Sequence, residues 1–169
     1  ANKSQRGTLH SHLRCQKKRR KRRGSIERRG QIIGRVCITE RPQIVETRSR
    51  IGDWEADTVI GRQGGAVLVT LVERKSRFSL IIRAENKTAT AVSAAMTTAM
   101  SPHAAHVHTL TYDNGKEFAY HLKVSDELEA KGFFAHPYHS WERGLNENTN
   151  GLIRQYLPKG KSFDDLTDQ

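Results

Sequence analysis

Residues 66 to 73 read AVLVTLVE, a run apolar at nearly every position and rich in β-branched side chains. That is the composition of a central strand, which needs a hydrogen-bonding neighbour on each edge. Candidates flank it on both sides. DWEADTVIG at 53 to 61 reads as a strand, and Gly61, Gly64 and Gly65 mark the turn that follows. RFSLIIRA at 77 to 84 comes after only a short KS link, so the three runs form a predicted meander. The pattern then changes. TATAVSAAMTTAM at 88 to 100 is alanine-rich and reads as a helix against a sheet, with Thr88 as its N-cap. VHTLTYD at 107 to 113 is a further strand, 117 to 132 a helix, continuous or broken near Ser125, FFAH at 133 to 136 a short strand ended by Pro137, and 142 to 156 a last helix stopped by PKG.

Three hairpin-like strands followed by alternating helices and strands imply an α/β domain, a mixed sheet with helices on its faces. That order is similar to the ribonuclease-H-like fold. Hydrophobic residues make up 36% of the 169, enough for one core without disulfides. No repeat interrupts the pattern. The reading divides the chain into a basic, flexible lead-in (1–35), a connector (36–50), a folded core (51–165) and a cut tail (166–169).

Charge narrows the partner. Lysine and arginine number 29 against 18 acids, a formal net charge of +11. A field this positive draws phosphates. The excess is concentrated in RCQKKRRKRRGSIERRGQIIGR at 14 to 35, which has too little apolar content to fold alone. It reads as a solvated tether or as an arm that follows a phosphate backbone, with Lys17, Lys18, Arg19 and Arg20 as contacts. Cys15 and Cys37 are the only cysteines, a pattern that fits neither a zinc motif nor a disulfide framework. A reducing, intracellular compartment suits them. No apolar run is long enough to cross a bilayer, and the first residues lack a signal-peptide h-region.

Period two in the first strand puts Asp53, Glu55 and Asp57 on one face and Trp54, Ala56 and Thr58 on the other. Three acids on one face cannot all be buried without compensation. Asp57 lies deepest in the strand. Asp113 comes at the carboxyl end of the fourth strand, followed by the tight turn Asn114-Gly115, where open α/β sheets hold ligands. Glu147 lies in the first half of the last helix, with Leu145, Leu152, Ile153 and Tyr156 available for apolar contacts. Converging carboxylates suit a hard divalent cation, which separates their charges. Spacing alone leaves open that these acids are caps and surface residues.

Longer motifs add to this. IGDWEADTVIG at 51 to 61, LVERKSRF at 71 to 78, TYDNGKEF at 111 to 118 and HPYHSWERGLNENTNGLIRQYLPKG at 136 to 160 together resemble, in order, the catalytic region of bacterial insertion-sequence transposases of the DDE type. Those proteins have a retroviral-integrase-like core. The likeness covers roughly residues 35 to 165 and departs from the family pattern at YHSW, where a proline beside Trp141 is missing and His139 intervenes. It implies that Asp57, Asp113 and Glu147 are the catalytic triad and ligands of Mg2+, with Mn2+ as substitute. It implies a metal-dependent polynucleotidyl transferase that cleaves double-stranded DNA at element ends, frees 3′ hydroxyls and joins them to target DNA. A homo-oligomer acting on DNA in the bacterial cytoplasm, with no membrane partner, goes with it. A terminal-repeat recognition region is expected ahead of residue 1.

Several further residues keep two readings. Arg143 and Lys159 contact phosphate or serve helix-end electrostatics. Asn146 and Asn148 orient a carboxylate, water or DNA. Trp141 packs in the core or stacks on an unpaired base. Lys116 places DNA or belongs to the next helix, which Glu117 is expected to cap. His139 ligates a metal or assists a proton transfer, or is a hydrogen-bonded loop histidine, the reading favoured here. The rival functions are a nuclease of the same fold without strand transfer and a non-catalytic DNA-binding module.

Overall fold

The computed structural model describes residues 32 to 166. The expected contacts Lys17, Lys18, Arg19 and Arg20 lie outside them. Five strands form one sheet: β1 (Asp53–Ile60), β2 (Val67–Glu73), β3 (Ser79–Ala84), β4 (Thr109–Tyr112) and β5 (Lys131–Phe134). Their order is β3-β2-β1-β4-β5. The first three pair antiparallel, as the meander requires, and β4 and β5 add in parallel to β1. This is the mixed, ribonuclease-H-like sheet that the order of elements predicts.

The helices are α1 (Gln43–Thr47), α2 (Ala89–Met100), α3 (His121–Glu127) and α4 (Gly144–Tyr156). α2 starts as read, with the Thr88 hydroxyl accepting from the Ala91 N–H. Its Val92, Met96 and Met100 are fully buried with Trp54, Ala56, Val69, Leu71 and Leu110. Each such side chain contributes about 1.5–3 kcal/mol through burial. This apolar face of the sheet is the principal core.

The opposite face carries the odd-numbered residues of β1. α4 lies over it, with a small apolar cluster of Val59, Ala66, Leu68 and Phe163 at one end. Of the four apolar residues expected to seat α4, Ile153 packs on this cluster, whereas Leu152 and Tyr156 are exposed. The residues that face the sheet are polar: Arg143, Asn146, Asn150 and Arg154.

Two segments differ from the expected elements. Residues 36 to 50, read as a connector of extended pieces, hold a short 3-10 turn and α1, and Arg41 and Val45 are buried. The helix expected over 117 to 132 is divided. A 3-10 turn spans Lys116–Phe118, and α3 ends at Glu127. Glu117 does not cap a helix: it is buried, where it accepts from the Thr58 hydroxyl at 3.0 Å and pairs with Lys87 at 2.8 Å. Gly132 belongs to β5, because a Cβ there would lie 3.1 Å from the Tyr112 ring and 3.3 Å from the Ser125 hydroxyl. Close approach, not helix termination, accounts for that glycine.

Candidate active site

β1 and β4 run parallel, with Asp53, Trp54 and Glu55 opposite Thr109, Leu110 and Thr111. Continuing that register by two residues sets Asp57 level with Asp113 at the carboxyl end of β4. Both side chains belong to the polar face under α4.

Arg143 reaches both. Its guanidinium is 3.1 Å from Asp57 Oδ2 and 3.9 Å from Asp113 Oδ2, and it donates to the Ala56 carbonyl at 3.3 Å. Asp57 is further fixed by the Thr58 N–H at 2.8 Å and the Asn150 amide at 3.1 Å. Asn150 in turn accepts from the Thr70 hydroxyl, which ties β2 to the same point. Asp113 accepts the Gly115 N–H at 2.7 Å, closing the turn read from DNG. Gly115 lets the Glu117 carboxylate approach, since a Cβ there would lie within 2.7 Å of it. Burial pushes the Asp113 carboxyl up from its usual range, Arg143 draws it down, and the charge of Asp57 pushes it up again. The net shift is upward, with burial as its largest cause.

Beneath the pair lies a buried ionic layer that the sequence reading missed. Glu55 is fully buried and accepts from Arg74 at 2.6 Å and from the Asn146 N–H at 3.1 Å. Arg74 also meets Glu46 of α1 at 3.4 Å, and Glu46 pairs with Arg41, whose other nitrogen donates to Thr111. Asp53 is held by Arg50 and by the Thr109 hydroxyl. The acids of β1 thus divide into two buried, arginine-paired structural residues and one at the rim. Arginines at 50 and 74 were the available signal.

Glu147 sits on α4 between Arg143 (i−4) and Asn150 (i+3), both of which touch Asp57, and its side chain is exposed. The structure brings Asp57 and Asp113 together through Arg143. Among the described residues, the three acids do not form a cluster with ligand atoms all within 4.8 Å of one another. Asn146, expected to orient a carboxylate, water or DNA, is fully buried, and both polar atoms of its side chain lack a partner. Trp141 is not in the core; it is 68% exposed and stacks on His139 with ring centroids 4.4 Å apart. Lys116, Asn148 and Lys159 are exposed. His139 is paired with Glu142 at 3.4 Å, in keeping with a bonded loop histidine. Among the described residues no helix is long and apolar enough to cross a membrane.

Fold and site together define a ribonuclease-H-like domain with one aspartate in β1, a second just past the end of the neighbouring parallel strand β4, and an acid-bearing helix across that face. The chain is 19% identical to a chain of the simian T-cell lymphotropic virus intasome complex with PP2A regulatory subunit B56 gamma, over 63% of this chain and 39% of that one, with a TM-score of 0.55, a likeness of fold. Its curated relatives include the transposase for insertion sequence element IS4351 of Bacteroides fragilis, 48% identical over 96% of this chain and 50% of the relative. Another is the transposase InsI for insertion sequence element IS30A of Escherichia coli K12, 39% identical over 83% of this chain and 36% of the relative. The chain therefore spans half or less of the length of these relatives. No family model matches it.

Proposed function

We propose that this chain is the catalytic region of an insertion-sequence transposase of the DDE type, a polynucleotidyl transferase that cleaves DNA at element ends and joins the freed ends to target DNA. The observation that carries the reading is the pair Asp57 and Asp113, bridged by Arg143 at the start of the helix that bears Glu147. The names of the relatives support it.

The donor set fits a hard divalent cation. Two carboxylates face one guanidinium, and Asp113 is already driven toward its neutral form by burial and by Asp57. A third carboxylate stands one helical turn from Arg143. Asp57, Asp113 and Glu147 would hold Mg2+, or Mn2+ in its place. When bound, the ion supplies stabilisation of the phosphodiester's developing charge and a more acidic attacking oxygen. The chain's own residues do the positioning. The Thr58 and Gly115 N–H groups hold the Oδ1 oxygens of Asp57 and Asp113, and the Asn150 amide shares Asp57 Oδ2 with Arg143. Arg143 has charge to offer a phosphate as it yields the acids. Lys116, Lys159 and Trp141 are exposed, where a backbone or an unpaired base can reach them.

In the first reaction a water oxygen bonds to phosphorus and the 3′ oxygen leaves as a hydroxyl. In the second, that hydroxyl bonds to phosphorus in the target strand, and the target's 3′ oxygen leaves. This reading takes the enzyme to be a homo-oligomer, associated with DNA in the bacterial cytoplasm, and the core to span residues 51–165 behind the basic lead-in. The test is a strand-joining assay with pre-cleaved element ends in a protein of the relatives' full length. Joined products that disappear in Asp57→Asn are expected. Hydrolysis without joining would make it a nuclease, and metal-independent binding without either reaction would make it a DNA-binding module.

A further inference from the structure

A second cluster of ligand-type side chains stands apart from the aspartate pair, in the loop between β5 and α4. His136, His139 and Glu142 have donor atoms all within 4.8 Å of one another, and theirs is the one such group among the described residues. Two successive i→i+3 turns create it. The His139 N–H bonds to the His136 carbonyl at 3.2 Å, and the Glu142 N–H bonds to the His139 carbonyl at 3.1 Å. The second turn enters the 3-10 segment Ser140–Arg143, where side chains three apart eclipse, so His139 and Glu142 project to one side. Tyr138, at φ +67°, takes the left-handed conformation inside the first turn.

The arrangement is oriented as well as clustered. The Nδ1 atoms of both rings face the same oxygen, Glu142 Oε1, at 2.8 Å for His136 and 3.4 Å for His139. Ligands in a tetrahedral shell of a zinc-sized ion lie about 3.3 Å apart, so these separations are near those of a bound set. Glu142 Oε2 is taken by the His136 N–H at 2.8 Å, which holds the carboxylate in place. Nε2 of His136 lies 3.5 Å from the Cys37 sulfur. A histidine that ligates through one nitrogen gives the other N–H to an outer acceptor, and Cys37 stands where that acceptor belongs. The three side chains are between 19% and 42% exposed, so an ion has access and solvent can fill a fourth position.

We infer that His136 Nδ1, His139 Nδ1 and Glu142 Oε1 form a binding site for a borderline divalent transition-metal cation of the Zn2+ type, with Cys37 as the outer partner of His136. Two imidazoles and one carboxylate select Zn2+ over Mg2+, which prefers an all-oxygen shell. The site is independent of the proposed reaction. Its effect is to fasten the loop that carries the Trp141–His139 stack and leads directly into α4.

The test is Zn2+ titration of the metal-stripped chain by calorimetry, with Mg2+ in excess, on wild type, His139→Gln, Glu142→Gln and Asp57→Asn. Thermal midpoints of all four are measured in chelator and again with Zn2+. One tightly bound Zn2+ is expected in wild type and in Asp57→Asn, with a raised midpoint. His139→Gln and Glu142→Gln should each weaken it by more than about tenfold, since loss of even an outer partner has an effect of that size. Both should keep the wild-type midpoint in chelator. Zn2+ affinity unchanged in both variants, or no Zn2+ bound by wild type, would overturn the assignment. Should either variant lose its fold, histidine ring resonances of wild type decide: those of His136 and His139 must move with Zn2+ at one equivalent, and their failure to move rejects the site.

Discussion

The backbone N–H of Asn146 donates to the carboxylate of Glu55 at 3.1 Å, across 91 positions of sequence. One helix and one strand are thus joined by an acid with no exposure to water. Glu55 sits two residues before Asp57, and Asn146 one before Glu147. The bond sets the height of α4 over the site.

That bond makes the Glu55–Arg74 pair structural. Arg74→Met leaves Glu55 charged and buried with one N–H partner. The expected loss of stability is about 3–5 kcal/mol. Replacing both partners, as Glu55→Gln with Arg74→Met, should recover much of it, because no buried charge is left unpaired. Urea unfolding of the two variants provides the comparison, and a single-variant loss under about 1 kcal/mol would show that the Asn146 N–H suffices.

Glu147 presents the opposite case. It is exposed, and glutamine has a similar helix propensity. Glu147→Gln should change stability by no more than about 0.5 kcal/mol. Cleavage and joining should both collapse, because the amide is a poor ligand for a hard cation. Thermal unfolding and both DNA reactions, measured in a protein of the relatives' length, separate the two effects. Normal activity would remove Glu147 from the triad.

Asp53 gives a pH dependence of defined sign. Burial pushes its carboxyl up, but bonds from Arg50 and Thr109 outweigh burial and hold it below the usual range. Its stabilising contribution is therefore complete above the unfolded value, near ~3.9, and is lost as pH falls through the lower folded value. Asp53→Asn should destabilise the protein at neutral pH. The difference from wild type should narrow in the acid range below pH ~3.9. Parallel thermal midpoints at every pH would contradict the linkage.

The basic run 17 to 23 should act through phosphate charge. Replacing Lys17, Lys18, Arg19 and Arg20 with alanine is expected to weaken DNA binding and to flatten the plot of log affinity against log salt. The slope should fall by about 0.9 for each phosphate that is no longer neutralised. Discrimination between sequences should be little affected. Filter binding over a salt series measures both, and an unchanged slope would make the run a tether.

The succession of strands and helices and the grouping of Asp53, Glu55 and Asp57 were legible, because hydrophobic period is a local property of the chain. Which acids were structural was not. That depends on Arg50 and Arg74, and Arg74 reaches Glu55 only once β1 and β2 have paired. Asp113 was legible for the same reason as its turn: Asn114-Gly115 follows a strand of buried residues. α4 was misread where apolar character was assumed to mark the packed side. Leu152 and Tyr156 face water, whereas Arg143, Asn146, Asn150 and Arg154 meet carbonyls and carboxylates that the sheet presents. Of the two readings of Trp141, the core one is excluded: the ring is exposed and stacks on His139. The division of 117 to 132 depends on Thr58 and Lys87 capturing Glu117, an interaction set by the fold and absent from the local pattern.

The polar seam under α4 also governs how the molecule opens. α2 is held by Val92, Met96 and Met100, whose exposure water opposes at every step. α4 is held chiefly by hydrogen bonds, and water can replace each of those in turn. Amide protons of α4 should therefore exchange with solvent deuterium well before those of α2 and of β1, as a separate cooperative unit. The helix bearing Glu147 is the one this architecture can release while the sheet, with Asp57 and the end of β4, stays intact.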